Sequence, residues 1–178
     1  MLPSPVVRGR KNPFHFGFAA RLRRARKAGG FSRFGVTTKS AAKDRELVAS
    51  LEQGQRIPRL DTVERVAYAL GLSPAFLAYG IEADADPPSD GLRCEGVAQR
   101  LRQTRVQRGL SVLALATAAG LSHTAVGNVE RGTIPTLATA ESLAAALGVS
   151  PGWLAYGLGP MELPGRRTVA ASPAPSPS

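Results

Sequence analysis

Few side chains in this 178-residue sequence are suited to catalysis, and they are scattered. There are two histidines, His15 and His123, and one cysteine, Cys94. No metal-ligand spacing joins them, whereas a structural zinc site takes about four such ligands. No glycine-rich phosphate loop or dinucleotide fingerprint occurs. No carboxylate pair accompanies a histidine in the order of a hydrolytic triad. An enzyme, a cofactor, a metal and a small-molecule ligand are therefore not expected. The abundant chemistry is cationic. Lys and Arg number 23 against 13 acids, a net charge of +10. Residues 1–40 hold ten of the basic groups and no acid, while the remaining 138 carry 13 of each sign. Ordinary surfaces mix signs, so the run containing Arg21, Arg23, Arg24 and Lys27 reads as a footprint for a polyanion. Nucleic acid comes first. A membrane surface comes second, because the basic helix offers only Phe16, Phe18 and Leu22 for insertion.

The elements that must position this charge are set by a repeat. Leu72-Ser73-Pro74-Ala75-Phe76-Leu77-Ala78-Tyr79-Gly80 returns 77 positions later as Val149-Ser150-Pro151-Gly152-Trp153-Leu154-Ala155-Tyr156-Gly157, with six of nine residues identical. So long a period implies a duplicated unit of about 65 residues rather than a solenoid. The reading is an all-α chain of two five-helix units in tandem with flexible termini. Its parts are a flexible basic arm over 1–15, repeat 1 over 16–80, an acidic linker over 81–95, repeat 2 over 96–160 and a disordered tail over 161–178.

Repeat 2 has the clearer punctuation. Val97, Leu101, Thr104 and Val106 mark a helix ending at Gly109. Ser111 caps a second helix that stops at Gly120, and Ser122 caps a third running to about Arg131. Pro135-Thr136 opens a fourth over Leu137 to Leu147. Ser150-Pro151 opens a fifth. Repeat 1 follows with two one-residue insertions, one in its second helix and one after Gly54. There Gly35, Val36, Thr37 and Thr38 are poor helix formers in a row, and Ala42 stands where Gly120 makes the turn. Trp153 and Phe76 are expected as core anchors. Tyr79 and Tyr156 are not assigned. Cys94 reads as an inert linker thiol.

Two helices joined by a tight glycine turn within a five-helix unit form the helix-turn-helix plan. Arg100-Leu101-Arg102, Gly109-Leu110-Ser111, Ala119-Gly120-Leu121-Ser122, Val129-Glu130-Arg131-Gly132, Ile134-Pro135-Thr136-Leu137 and Leu147-Gly148-Val149-Ser150-Pro151 together resemble the Cro/phage-repressor-type helix-turn-helix family of bacterial regulators. The likeness covers repeat 2 and, more loosely, repeat 1. It implies two lambda-repressor-like domains whose third helices enter the major groove.

By that resemblance His123, Thr124 and Asn128 in repeat 2, and Arg45, Glu46 and Ser50 in repeat 1, face bases. Arg suits guanine, Asn adenine, and Thr a thymine methyl. Arg131, Thr133 and Thr136, with Arg56 and Arg59 in repeat 1, are implied phosphate contacts. Arg26 with Glu52, and Arg105 with Glu130, are implied structural ion pairs. The family's glutamine early in the second helix is replaced by Val112 and Arg33, and Gly127 interrupts the groove helix.

The expected function is a DNA-binding transcriptional regulator that occludes or recruits at a promoter, with repression the favoured mode. The alternative is an antitoxin-like or protein-interaction module with vestigial DNA contacts. The partner is double-stranded DNA, bound by both repeats of one chain or by a homodimer. No run of about 18 apolar residues exists, no signal peptide is visible, and a lone cysteine suits a reducing compartment. The expected location is the cytoplasm, at the nucleoid.

Overall fold

A computed structural model describes residues 14–83 and 91–162. Most of the basic arm, the acidic core of the linker and most of the C-terminal tail lie outside the described residues. The described residues are helical, with no strand among them. A 3-10 turn, Phe14–Gly17, leads into α1 (Phe18–Ala28), α2 (Arg33–Lys39), α3 (Leu47–Glu52), α4 (Leu60–Ala69) and α5 (Pro74–Tyr79). A second 3-10 turn, Arg93–Gly96, leads into α6 (Val97–Gln107), α7 (Val112–Ala119), α8 (His123–Glu130), α9 (Leu137–Leu147) and α10 (Pro151–Tyr156). Among the described residues, helical turns are already present at Phe14, inside the segment read as arm, and at Arg93, inside the segment read as linker.

Caps and stops in the C-terminal half follow the sequence. The hydroxyls of Ser111 and Ser122 accept the amides of Ala114 and Ala125 at 3.0 and 3.1 Å. Thr136 does the same for Thr139 at 3.3 Å. Gly120 and Gly148 end their helices at φ 68° and 70°, where a side chain is strained. Ser73 and Ser150 differ. Neither makes a side-chain cap, and Pro74 and Pro151 open α5 and α10 by pre-set φ alone.

The turn between α2 and α3 departs from its counterpart. Its left-handed residue is Ala41, at φ 53° and without a glycine's freedom. That conformation costs an alanine about 1–2 kcal/mol. The chain then needs residues 40–46 to reach α3, which is two residues shorter than α8 (six against eight).

Helical periodicity selects the core. Val97, Leu101 and Thr104 are buried along one side of α6. Val106, on the same helix, falls off that side and is exposed. Leu22, Leu51, Leu60, Leu77, Leu115, Leu137, Leu143 and Leu154 are all fully buried, each worth about 1.5–3 kcal/mol of hydrophobic stabilisation. The aromatics expected as core anchors are not the most deeply buried ones, although Trp153 packs against the core. Phe76 and Trp153 are only partly buried, while Tyr79 and Tyr156 are 2% and 1% exposed. Cys94 is also in the core, not in a linker.

The tyrosines are buried because they close the seam between the two sets of helices. Tyr79 Oη donates to the Leu137 carbonyl at 3.1 Å, and Tyr156 Oη donates to the Leu60 carbonyl at 3.3 Å. Beside them Arg59 and Thr136 form an antiparallel bridge. The Leu60 amide donates to Pro135 O and the Leu137 amide to Pro58 O, both at 3.0 Å. Two arginines hold carbonyls: Arg21, read in the sequence as part of the cationic surface run, and Arg100, its counterpart in the second half. Arg21 donates to Phe14, Leu77 and Ala78, and Arg100 to Arg93, Leu154 and Ala155. Burial lowers the pKa of both guanidinium groups, although each remains a cation at any ordinary pH.

Candidate nucleic-acid interface

α7 and α8 are separated by Gly120, Leu121 and Ser122, and the chain bends by 115° between them. A helix-turn-helix pair crosses at about 90–120°. α8 is pinned from within by Val126 and Val129, both buried. His123, Thr124 and Asn128 are exposed, so the three expected base contacts share the free surface of one helix. Arg131 lies at its end and donates from Nη2 to Asn128 Oδ1 at 2.6 Å.

The same guanidinium lies against the glycine inside the helix. A Cβ on Gly127 would stand 3.1 Å from Arg131 Nη1. The missing side chain leaves room for the guanidinium to lie along α8 and orient the Asn128 amide. The contact uses one of the two lone pairs on Asn128 Oδ1 and none of the Nδ2 donors, so the amide keeps both an acceptor and a donor for a base edge.

Thr133 is exposed beyond α8, and its amide donates to the Asn128 carbonyl at 3.0 Å. Thr136 caps α9 and lies half-buried in the bridge with Arg59.

The N-terminal half offers a different surface. Arg45 and Glu46 are exposed but precede α3, with Glu46 at its N-cap. Ser50 Oγ donates to the Leu47 carbonyl at 2.9 Å, which leaves it turned into its own helix. Arg56 Nη2 meets Asp44 Oδ2 at 2.7 Å, and Arg59 Nε lies 3.4 Å from Asp61 Oδ1. The hydrogen bond from Arg56, helped by the Glu46 amide, holds the Asp44 carboxyl below its usual range. Both expected phosphate contacts are therefore paired with acids, and both arginines are exposed enough to exchange those acids for phosphate.

Both structural ion pairs form. Arg105 Nε and Nη2 donate to Glu130 at 2.5 and 3.1 Å, and Nη1 donates to Leu110 O. Arg26 repeats this on Glu52 at 2.6 and 3.2 Å and on Phe31 O. Each arginine thus ties the end of its groove-helix candidate to the turn after the first helix. Glu52 has a further partner that the sequence reading missed: Arg33, in the place of the expected glutamine, donates at 2.8 Å. Burial pushes the Glu52 carboxyl up, but the hydrogen bonds from Arg26 and Arg33 overcome it and hold the group below the ordinary carboxylate range.

No cluster of His, Cys, Asp and Glu that could hold a metal is found among the described residues. No single helix among them is long and apolar enough to cross a membrane. No curated protein and no solved structure matches this chain. A family model described as Helix-turn-helix matches residues 101–154. The matched stretch runs from α6 into α10 and contains the bent helix pair, Asn128 and both members of the Arg105–Glu130 brace. Over residues 101–154, then, the chain is similar to helix-turn-helix proteins, the family its capping pattern resembles.

Proposed function

We propose that the protein is a DNA-binding transcriptional regulator in which α8 enters the major groove. A single observation carries this reading. The surface of α8 left free by its buried Val126 and Val129 presents His123, Thr124 and an Asn128 amide held by Arg131. Asparagine is the residue type suited to adenine, and the arginine reaches either a phosphate or a guanine once released. Arg45 before α3, with Arg56, Arg59 and the exposed Arg24 and Lys27, supplies a second cationic contact from the N-terminal half. Tandem helix-turn-helix units, descended from one duplicated unit, are the arrangement that the repeat supports. Repression by occlusion at the bound site is part of this proposal. Selection from a random duplex library tests the proposal. Enrichment of a defined site is expected. Failure to retain any duplex at low salt would overturn it.

A protein-interaction module is the second reading. It is favoured by Phe34 and Leu113, which hold matching positions on α2 and α7 and are 65% and 63% exposed. Singly exposed apolar residues are common on soluble proteins, so this observation weighs less than the layout of α8.

A further inference from the structure

The seam between the halves is built from residues that the sequence repeat pairs with one another. From Pro58 onward the offset is 77 positions. Arg59 bridges Thr136, its own counterpart. Leu60 N to Pro135 O is answered by Leu137 N to Pro58 O. Tyr79 on Leu137 is answered by Tyr156 on Leu60. Ala75 faces its counterpart Gly152, where a Cβ would lie 3.1 Å from that of Ala75. The glutamates of α4 and α9 complete the exchange. Glu64 accepts the amides of Arg93 and Cys94 at 2.7 and 2.9 Å, and Glu141 accepts those of Phe14 and His15 at 2.6 and 3.0 Å.

Contacts in which i meets j′ and j meets i′, with some residues meeting their own counterparts, are the signature of an isologous two-fold interface. Here both partners belong to one chain. A two-fold relation turns the two groove-helix candidates, α3 and α8, in opposite senses along a duplex. Two domains on a slack linker would have no such preference. The interface is also spent: its tyrosine hydroxyls, bridge amides and glutamates are paired within the chain, and Ala75 and Gly152 are buried where they face each other. A second chain can repeat it only by exchanging halves.

We infer that one chain acts as its own dimer and occupies a single DNA site made of two inverted but unlike half-sites. The unlikeness follows from the surfaces. One half presents Asn128, Thr124 and His123 on an eight-residue helix; the other presents Arg45 and Glu46 ahead of a six-residue helix whose Ser50 is turned inward. An adenine-reading half-site and a guanine-reading half-site are the matching chemistries. This rests on the DNA-binding reading above, and it adds the stoichiometry and orientation of the site.

The test uses the full chain and a duplex obtained by selection. Light scattering should give one chain in solution, and a titration should give one chain per duplex. Reversing one half-site to a direct repeat, or inserting about five base pairs so that the half-sites face opposite sides of the helix, should weaken binding by about tenfold or more. Tight duplex binding by two chains, equal affinity for inverted and direct arrangements, or indifference to the insertion would overturn the single-chain dimer and leave the DNA-binding reading standing. Binding to no duplex at all would remove both.

Discussion

Replacing Glu52 by Gln should cost the protein about 3 kcal/mol at neutral pH. The Glu52 side chain is 0% exposed and takes two hydrogen bonds from Arg26 and one from Arg33. Glutamine keeps the shape but turns one acceptor into a donor that faces a guanidinium. Arg33 is half exposed and can turn to water; Arg26, with 11% of its side chain exposed, cannot. Removing one partner of a buried pair costs about 3–5 kcal/mol, and the escape of Arg33 favours the lower end. For a chain of this size that corresponds to a fall in Tm of about 6–12 °C. The pH dependence has a definite sign. The Glu52 pKa is lowered in the fold, so its stabilisation is complete above the unfolded value, about 4.3, and is lost as pH falls through the folded value. Thermal melts of Glu52→Gln and wild type, followed by circular dichroism, should differ at about pH 7 and converge as the pH falls through the lowered folded value of Glu52. A gap below about 2 °C at neutral pH, or one that stays constant down to the acid end, would refute the argument.

Two further outcomes follow from the same geometry. Asn128→Ala should change which duplex is selected, at a cost of about 1–3 kcal/mol at one base position, while the salt dependence of binding stays as it was; an unaltered preference in a repeated selection would remove Asn128 from the readers. Cys94 should resist thiol reagents in the folded chain, because it is fully buried and burial, aided by the nearby Glu64, pushes its thiol pKa far up; labelling at the rate of a free thiol in native buffer would contradict that placement.

What the sequence disclosed, and what it withheld, divides along contact range. Ser111, Gly120, Ser122 and Gly148 act within three or four residues of themselves, so their caps and stops were readable from the order of residues. The Arg26–Glu52 and Arg105–Glu130 braces were reached only through the resemblance to a family. The seam could not be read at all. Tyr156 and Leu60 lie 96 positions apart, and nothing local to either requires the other. The repeated phrase around each tyrosine signalled duplication, but the physical reason for the likeness of its copies is the packing of α5 against α10. Arg21, which holds carbonyls rather than facing a polyanion, has the same limit: a guanidinium bound to carbonyls is the same residue type as one left for phosphate. On α8, Asn128 and Thr124 lie on the exposed side, whereas the approach of the Arg131 guanidinium to Gly127 depends on side-chain placement that residue order does not give.

The central claim is tested most directly by following the affinity for the selected duplex as salt is raised, using fluorescence anisotropy with the full chain. Each neutralised phosphate contributes a log–log slope of about −0.9. Contacts from Arg131, Arg45, Arg56, Arg59 and the exposed cations of α1 should bring the loss to about a hundredfold or more between roughly 50 and 200 mM salt. A duplex affinity that is absent at the lowest salt, or that does not respond to salt, would contradict the account.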